Sequence, residues 1–287
     1  MSSVVLRPDG TSIHYEVFGT GTPLLALAPG IANSSIMSWK TAFLDPVTAF
    51  ADDYMVVAMD QRCAGQSTGG LAPFSYTQAA ADQVAVLDAL GVDACAVLGE
   101  SFGCTYALRL ATQCPDRVKA VTCVRPTGLS PSNSIGSFLG LFSETIRYAR
   151  AFGMDAVVDA ATAAAPLEDN RAAGPFGHRV ATDPILRDQL AQLPVERYIA
   201  LIVRFAQALW PEGNPFFSVS TQMLGKCGAS VLIIPGPVDE RHPSDLTDEL
   251  WRLVPNGTRL PPGWTAGIDS ARAAEAVRDF LRLNMVR

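Results

Sequence analysis

A chain of 287 residues, 48% of them apolar, holds enough hydrophobic material for one large domain or for one domain carrying an insertion. Its formal charge of −6 is spread along the sequence without a basic run or an interleaved aromatic stripe, which argues against nucleic acid as a partner. No apolar run is long enough to cross a bilayer, and Met1-Ser2-Ser3-Val4-Val5-Leu6-Arg7-Pro8 lacks a basic segment followed by an apolar one, so the expectation is a cytoplasmic protein without a membrane partner. The six cysteines, Cys63, Cys95, Cys104, Cys114, Cys123 and Cys227, have no metal-type spacing and read as free thiols, mostly buried; no metal or cofactor is expected.

In chain order, 11–18 alternates as a strand between the turn signals Pro8-Asp9-Gly10 and Gly19-Thr20-Gly21, and opens the sheet as an antiparallel hairpin. Gly19 and Gly21 precede Pro23 and a strand, where a dinucleotide loop would need a helix. Residues 24–28 form a continuous apolar run, the pattern of a buried parallel strand, and end in Pro29-Gly30-Ile31-Ala32-Asn33-Ser34. Another strand follows at 54–59. A helix runs through residue 90, with Thr77 as its cap and Gly91 as its stop.

The next stretch organises the chain. In Val97-Leu98-Gly99-Glu100-Ser101-Phe102-Gly103-Cys104 an apolar strand stops at a glycine and a helical pattern starts at once. A serine at such an apex needs small residues two positions to either side, because strand and helix backbones approach closely there. Gly99 and Gly103 meet that demand, and the Phe102 amide points to where an oxyanion would form. The spacing predicts a nucleophile elbow, followed by a helix and a strand at 120–124.

On these residues the chain resembles the lidded branch of the α/β-hydrolase superfamily over most of its length outside 130–225. The resemblance implies a mostly parallel twisted sheet flanked by helices, with 1–129 and 226–287 as the core and 130–225 as a helical cap. Within the cap Ile135, Phe138, Leu139, Phe142, Ile146 and Ala149 recur at helical spacing, and 199–210 reads as apolar nearly all round. The resemblance also implies Ser101 as nucleophile, the Ile31 and Phe102 amides as oxyanion donors, and Asp239 as the acid. Asp60-Gln61-Arg62-Cys63-Ala64-Gly65-Gln66-Ser67 resembles a structural turn of the family, with Cys63 at a position usually held by glycine. Arg125, at a strand end, reads as a substrate-anion partner or as one half of a structural ion pair. Cap aromatics suggest an apolar or aromatic ligand.

One residue of the family pattern is absent. The base is expected in a Gly-His pair near the end of the chain; Gly263-Trp264 stands there, and no histidine follows His242. Three accounts remain open. His242, close to Asp239 in sequence, acts as a relocated base, with His178 as a weaker candidate; or acyl transfer from a thioester proceeds without a water-activating base; or the protein only binds, with Trp264 stacking on a ligand. The expectation is an acyl-handling enzyme for a small-molecule or carrier-bound ester or thioester in specialised metabolite biosynthesis, transfer being favoured over hydrolysis. The sequence leaves the oligomeric state open.

Overall fold

The structure, a computed structural model, describes residues 2–130, 135–163, 167, 169–211 and 214–285. Eight strands form one sheet in the order β1-β2-β4-β3-β5-β6-β7-β8: β1 (Ser2–Leu6), β2 (Ser12–Phe18), β3 (Thr22–Leu27), β4 (Tyr54–Met59), β5 (Cys95–Glu100), β6 (Val118–Val124), β7 (Ser230–Ile234) and β8 (Gly257–Arg259). The β1–β2 and β2–β4 pairs are antiparallel and all others parallel. Strands covered on both faces are mostly apolar, and β5 is buried along its whole length, its one charged residue, Glu100, at the end. Alternate residues divide between two layers. Leu25 and Leu27 pack with α2 (Tyr76–Ala89) and α3 (Phe102–Gln113), while Leu24 and Ala26 face α1 (Pro46–Phe50) and the C-terminal helix.

Between β6 and β7 the chain forms α4 (Ile135–Ala161), α5 (Gly177–Thr182), α6 (Pro184–Ala191), α7 (Val195–Leu209) and α8 (Thr221–Leu224); α9 (Ser244–Leu253) and α10 (Ser270–Asn284) follow β7 and β8. Of the stretch 130–225 read as a cap, residues 131–134, 164–166, 168, 212 and 213 lie outside the described residues. Helix α7 corrects one expectation: Tyr198, Ile202, Phe205 and Leu209 are buried while Val203 and Arg204 are exposed, so it is amphipathic rather than apolar all round. Its buried stripe meets α4, which is kinked at Gly153. Two short features escaped the sequence pattern: a 3₁₀ turn over Ile36–Thr41, and α1, started by Pro46 and capped by the Asp45 carboxylate on the Val47 amide.

The elbow fixes how α3 lies on the sheet. A Cβ on Gly99 would run into the Gly103 carbonyl, and one on Gly103 would run into the Leu27 carbonyl. Both obstacles are backbone, so neither can rotate away. Gly103→Ala is therefore expected to destabilise the fold by about 1–3 kcal/mol, the range for overpacking a tight contact, read as a lowered urea midpoint at unchanged m-value; an unchanged midpoint would show that α3 can lift from β3 at no cost.

Candidate active site

Ser101 stands between β5 and α3 with φ 54° and ψ −119°, a left-handed backbone that a side chain seldom adopts and that the surrounding contacts must enforce. Its amide donates to the Val124 carbonyl at 2.9 Å, tying the apex to β6. The side chain is half-buried. Phe102 opens α3, so its amide has no intrahelical acceptor. Across the cleft the Ile31 loop is held by Tyr106, whose hydroxyl donates to the Ile31 carbonyl at 3.1 Å, and by Ser34, whose hydroxyl donates to the Ala28 carbonyl at 2.7 Å. Among the described residues neither the Ile31 nor the Phe102 amide is taken by a hydrogen bond.

The loop after β7 carries both remaining groups. Asp239 Oδ1 accepts from the Arg241 amide at 2.9 Å, the His242 amide at 3.0 Å and His242 Nδ1 at 2.7 Å. The Thr127 hydroxyl, donating to the Arg241 carbonyl at 2.9 Å, pins this loop to the end of β6. The opposite ring nitrogen, His242 Nε2, lies 2.8 Å from Ser101 Oγ. With Nδ1 as donor to the carboxylate, Nε2 is left as an acceptor facing the hydroxyl, the arrangement needed to take a proton from serine.

Burial, reinforced by the Arg125 charge and only partly opposed by Asp239, lowers the His242 pKa to about 4. Asp239 is half-exposed: what burial it has works upward, but His242, the Arg241 amide and Arg125 hold its carboxyl below the usual value. Both groups therefore rest, at neutral pH, in the states a serine–histidine–carboxylate array requires.

The remaining candidates fall elsewhere. Trp264 is buried on the α1 and α10 face of the sheet, its ring edge-on to Phe43, its Nε1 donating to the Pro261 carbonyl and the Arg272 guanidinium 3.9 Å from its ring centre. This packing corrects the reading of Trp264 as a substrate contact. Arg125 is likewise corrected: its guanidinium is committed to Asp239 Oδ2 at 2.6 Å rather than presented to a substrate. His178 lies in the first turn of α5, away from the 2.8 Å contact made by His242. His14 is buried against Asp60, whose other oxygen accepts from the Ile36 amide, so this second His–Asp pair braces the oxyanion loop. Burial pushes the Cys63 thiol up to about 11, leaving it protonated at neutral pH. Glu100, the last residue of β5, is buried next to the serine in the chain; its carboxylate accepts from the Phe43 and Leu44 amides, and burial pushes its pKa up to about 7.

A cavity of about 340 Å³ adjoins the oxyanion loop. Ile31, Phe74, Tyr106, Phe176 and Phe205 supply apolar walls, and Gln61 a buried amide whose Nε2 has no partner. Phe102, Phe138, Trp210 and Phe217 continue the aromatic surface next to the elbow, with Phe102 and Phe217 stacked at 5.5 Å.

A family model described as the alpha/beta hydrolase fold matches residues 23–198. The chain belongs to the alpha/beta hydrolase fold family. Among curated relatives of this hydrolase-fold chain, a rhodomycin D methylesterase of Streptomyces sp. strain C5 is 36% identical over 127 residues, 42% of this chain and 41% of that protein. A dihydrolipoyllysine-residue acetyltransferase component of an acetoin cleaving system from Cupriavidus necator is 32% identical over 139 residues, 48% of this chain and 36% of that protein. The matched stretches thus span about two fifths of the curated relatives' length. An esterase from Rhodococcus sp. superposes with a TM-score of 0.63 at 21% identity, covering 99% of both chains. At that identity the likeness establishes fold alone. Among the described residues no helix of this alpha/beta hydrolase is long and apolar enough to cross a membrane.

A pH dependence tests whether His242 serves as a base. A histidine must be neutral to accept the serine proton, and a lowered pKa moves the loss of the neutral form to lower pH. The acid limb of kcat/KM for an uncharged ester is expected well below the ordinary histidine value of about 6.5; a midpoint at or above that value would contradict the buried, Arg125-flanked setting of His242.

Proposed function

We propose that this chain is a serine ester hydrolase in which His242 serves as a base displaced from the usual late position onto the loop of the acid. The observation that carries the reading is the 2.8 Å approach of His242 Nε2 to Ser101 Oγ, with Nδ1 backed by Asp239 at 2.7 Å. In the proposed cycle His242 takes the hydroxyl proton as Oγ bonds to the ester carbonyl carbon, and the oxyanion is held by the Ile31 and Phe102 amides. The protonated ring then gives its proton to the departing alkoxide. Water, deprotonated by the same nitrogen, releases the acid and regenerates Ser101.

The substrate class is a small-molecule or carrier-bound ester with an apolar or aromatic portion, supported by the aromatic cavity beside Ile31. Hydrolysis now ranks above transfer. The case for transfer drew on the lack of a group to activate water, and His242 is positioned for that task. Acyl transfer keeps the support of the acetyltransferase relative, and a role in specialised metabolite biosynthesis that of the methylesterase relative; both are proposals for this chain.

Ser101→Ala and His242→Ala are each expected to lower kcat/KM for an aryl ester by about four orders of magnitude, while a serine-directed phosphonate labels the wild-type at Ser101 by mass spectrometry. Wild-type left unlabelled would return the protein to the binding reading. A trapped acyl group should partition to water; preferential capture by added thiol would restore the transferase reading. Phe74→Ala is expected to raise KM for aryl esters by about tenfold, the equivalent of roughly 1.4 kcal/mol of lost contact, and to leave KM for acetyl esters of short alcohols unchanged.

A further inference from the structure

Arg125 occupies a position that ester hydrolysis by Ser101, His242 and Asp239 does not by itself require. Its backbone is left-handed, with φ 48°, immediately after β6, and its amide donates to the Ile234 carbonyl at 2.8 Å. The side chain lies over Gly236, where a Cβ would strike its methylenes; the glycine, itself at φ 65°, clears the path of the arm. Two neighbouring positions in unfavourable or Cβ-free backbone thus deliver one guanidinium to one place.

That place is the back of the catalytic pair. Arg125 Nη2 is 2.6 Å from Asp239 Oδ2 and 3.1 Å from His242 Nδ1, while Nη1 lies 3.9 Å from Glu100 Oε1. A guanidinium only donates. When Nδ1 carries its proton toward Asp239 Oδ1, as proton uptake at Nε2 demands, Arg125 and Nδ1 are two donors on the two oxygens of one carboxylate. When the ring becomes an imidazolium, a permanent positive charge sits beside it on a side chain that is only 17% exposed.

We propose that Arg125 is a positioning residue for the base: it fixes the Asp239 carboxylate toward His242 while its charge opposes protonation of the ring, keeping His242 available as a base in acidic solution. The charged and titratable groups facing this ring are Asp239 and Arg241 on its own loop, Arg125 at the end of β6, and the Ser101 hydroxyl at the end of β5, with Glu100 facing Arg125 from behind. Asp239 favours the imidazolium; Arg125 and Arg241 oppose it. Arg125 binds Asp239 with the oxygen that His242 leaves unused, so orientation and opposition come from one group.

The proposal rests on His242 being the base, and its test separates the two. The chain has three histidines, so ring ¹⁵N signals followed through a pH titration, with His242→Asn identifying the resonance, report the ring directly whether or not the protein turns over ester. Arg125→Gln and Arg125→Met remove the charge, Gln retaining a donor for Asp239. Both are expected to raise the His242 titration midpoint by at least one pH unit and to carry the acid limb of kcat/KM up with it, with KM for a neutral ester unchanged. Arg125→Lys should titrate like wild-type. A midpoint that stays put in both neutral variants, or one that moves as far in Arg125→Lys, would overturn the proposal, the second result by showing that shape rather than charge acts. A ring that shifts as expected in a protein whose Ser101 takes no phosphonate would uphold the coupling and sink the hydrolase reading alone.

Discussion

A single oxygen, Asp239 Oδ1, holds the catalytic loop together. Three N–H groups from Arg241 and His242 converge on it, two from backbone and one from the His242 ring. A carboxylate that ties its own loop in this way is stationary, and a stationary carboxylate can aim an imidazole. The ring's far nitrogen then reaches Ser101 only because the elbow presents the hydroxyl at the same edge of the sheet. The proposed acid and base are thus a local element and the proposed nucleophile a distant one, with the parallel strands β5, β6 and β7 supplying the spacing between them.

That division explains which features the sequence revealed. Gly99 and Gly103 announce the elbow because their spacing follows from a backbone contact that tolerates no Cβ, and the Gly103–Leu27 approach is that contact. The buried strands were equally readable, since parallel strands are apolar along their length. Helix α1 was missed because five residues are too few for periodicity to show, although Asp45-Pro46 carries the capping signal. The cap helix α7 was judged too apolar because its exposed residues include Val203, and single exposed aliphatics carry no pattern.

The site was legible by position and not by pairing. His242 stood out for its closeness to Asp239, but whether its ring turned toward Ser101 depends on a contact between residues 141 apart in the chain, which no local rule encodes. Trp264 was misread for the opposite reason: knowing what relatives keep at that position suggested a pocket wall, whereas an indole of that size is most stable in the packed layer under α10, where Phe43 and Arg272 enclose it. The ion-pair alternative for Arg125 was open on sequence; its partner Asp239 was not identifiable there, since the pair joins the ends of two different strands.

Placing the proposed acid and base three residues apart relieves the last strand and the last helix of chemistry. β8 has only three residues and lies at the sheet's edge, a poor anchor for a group that must be aimed to a fraction of an ångström. With both groups on the loop after β7, the segment beyond residue 243 contributes packing and no member of the proposed relay. The short turn sets the imidazole against the carboxylate, whereas its aim at Ser101 is borrowed from the strand ends to which Thr127 and Arg125 tie it.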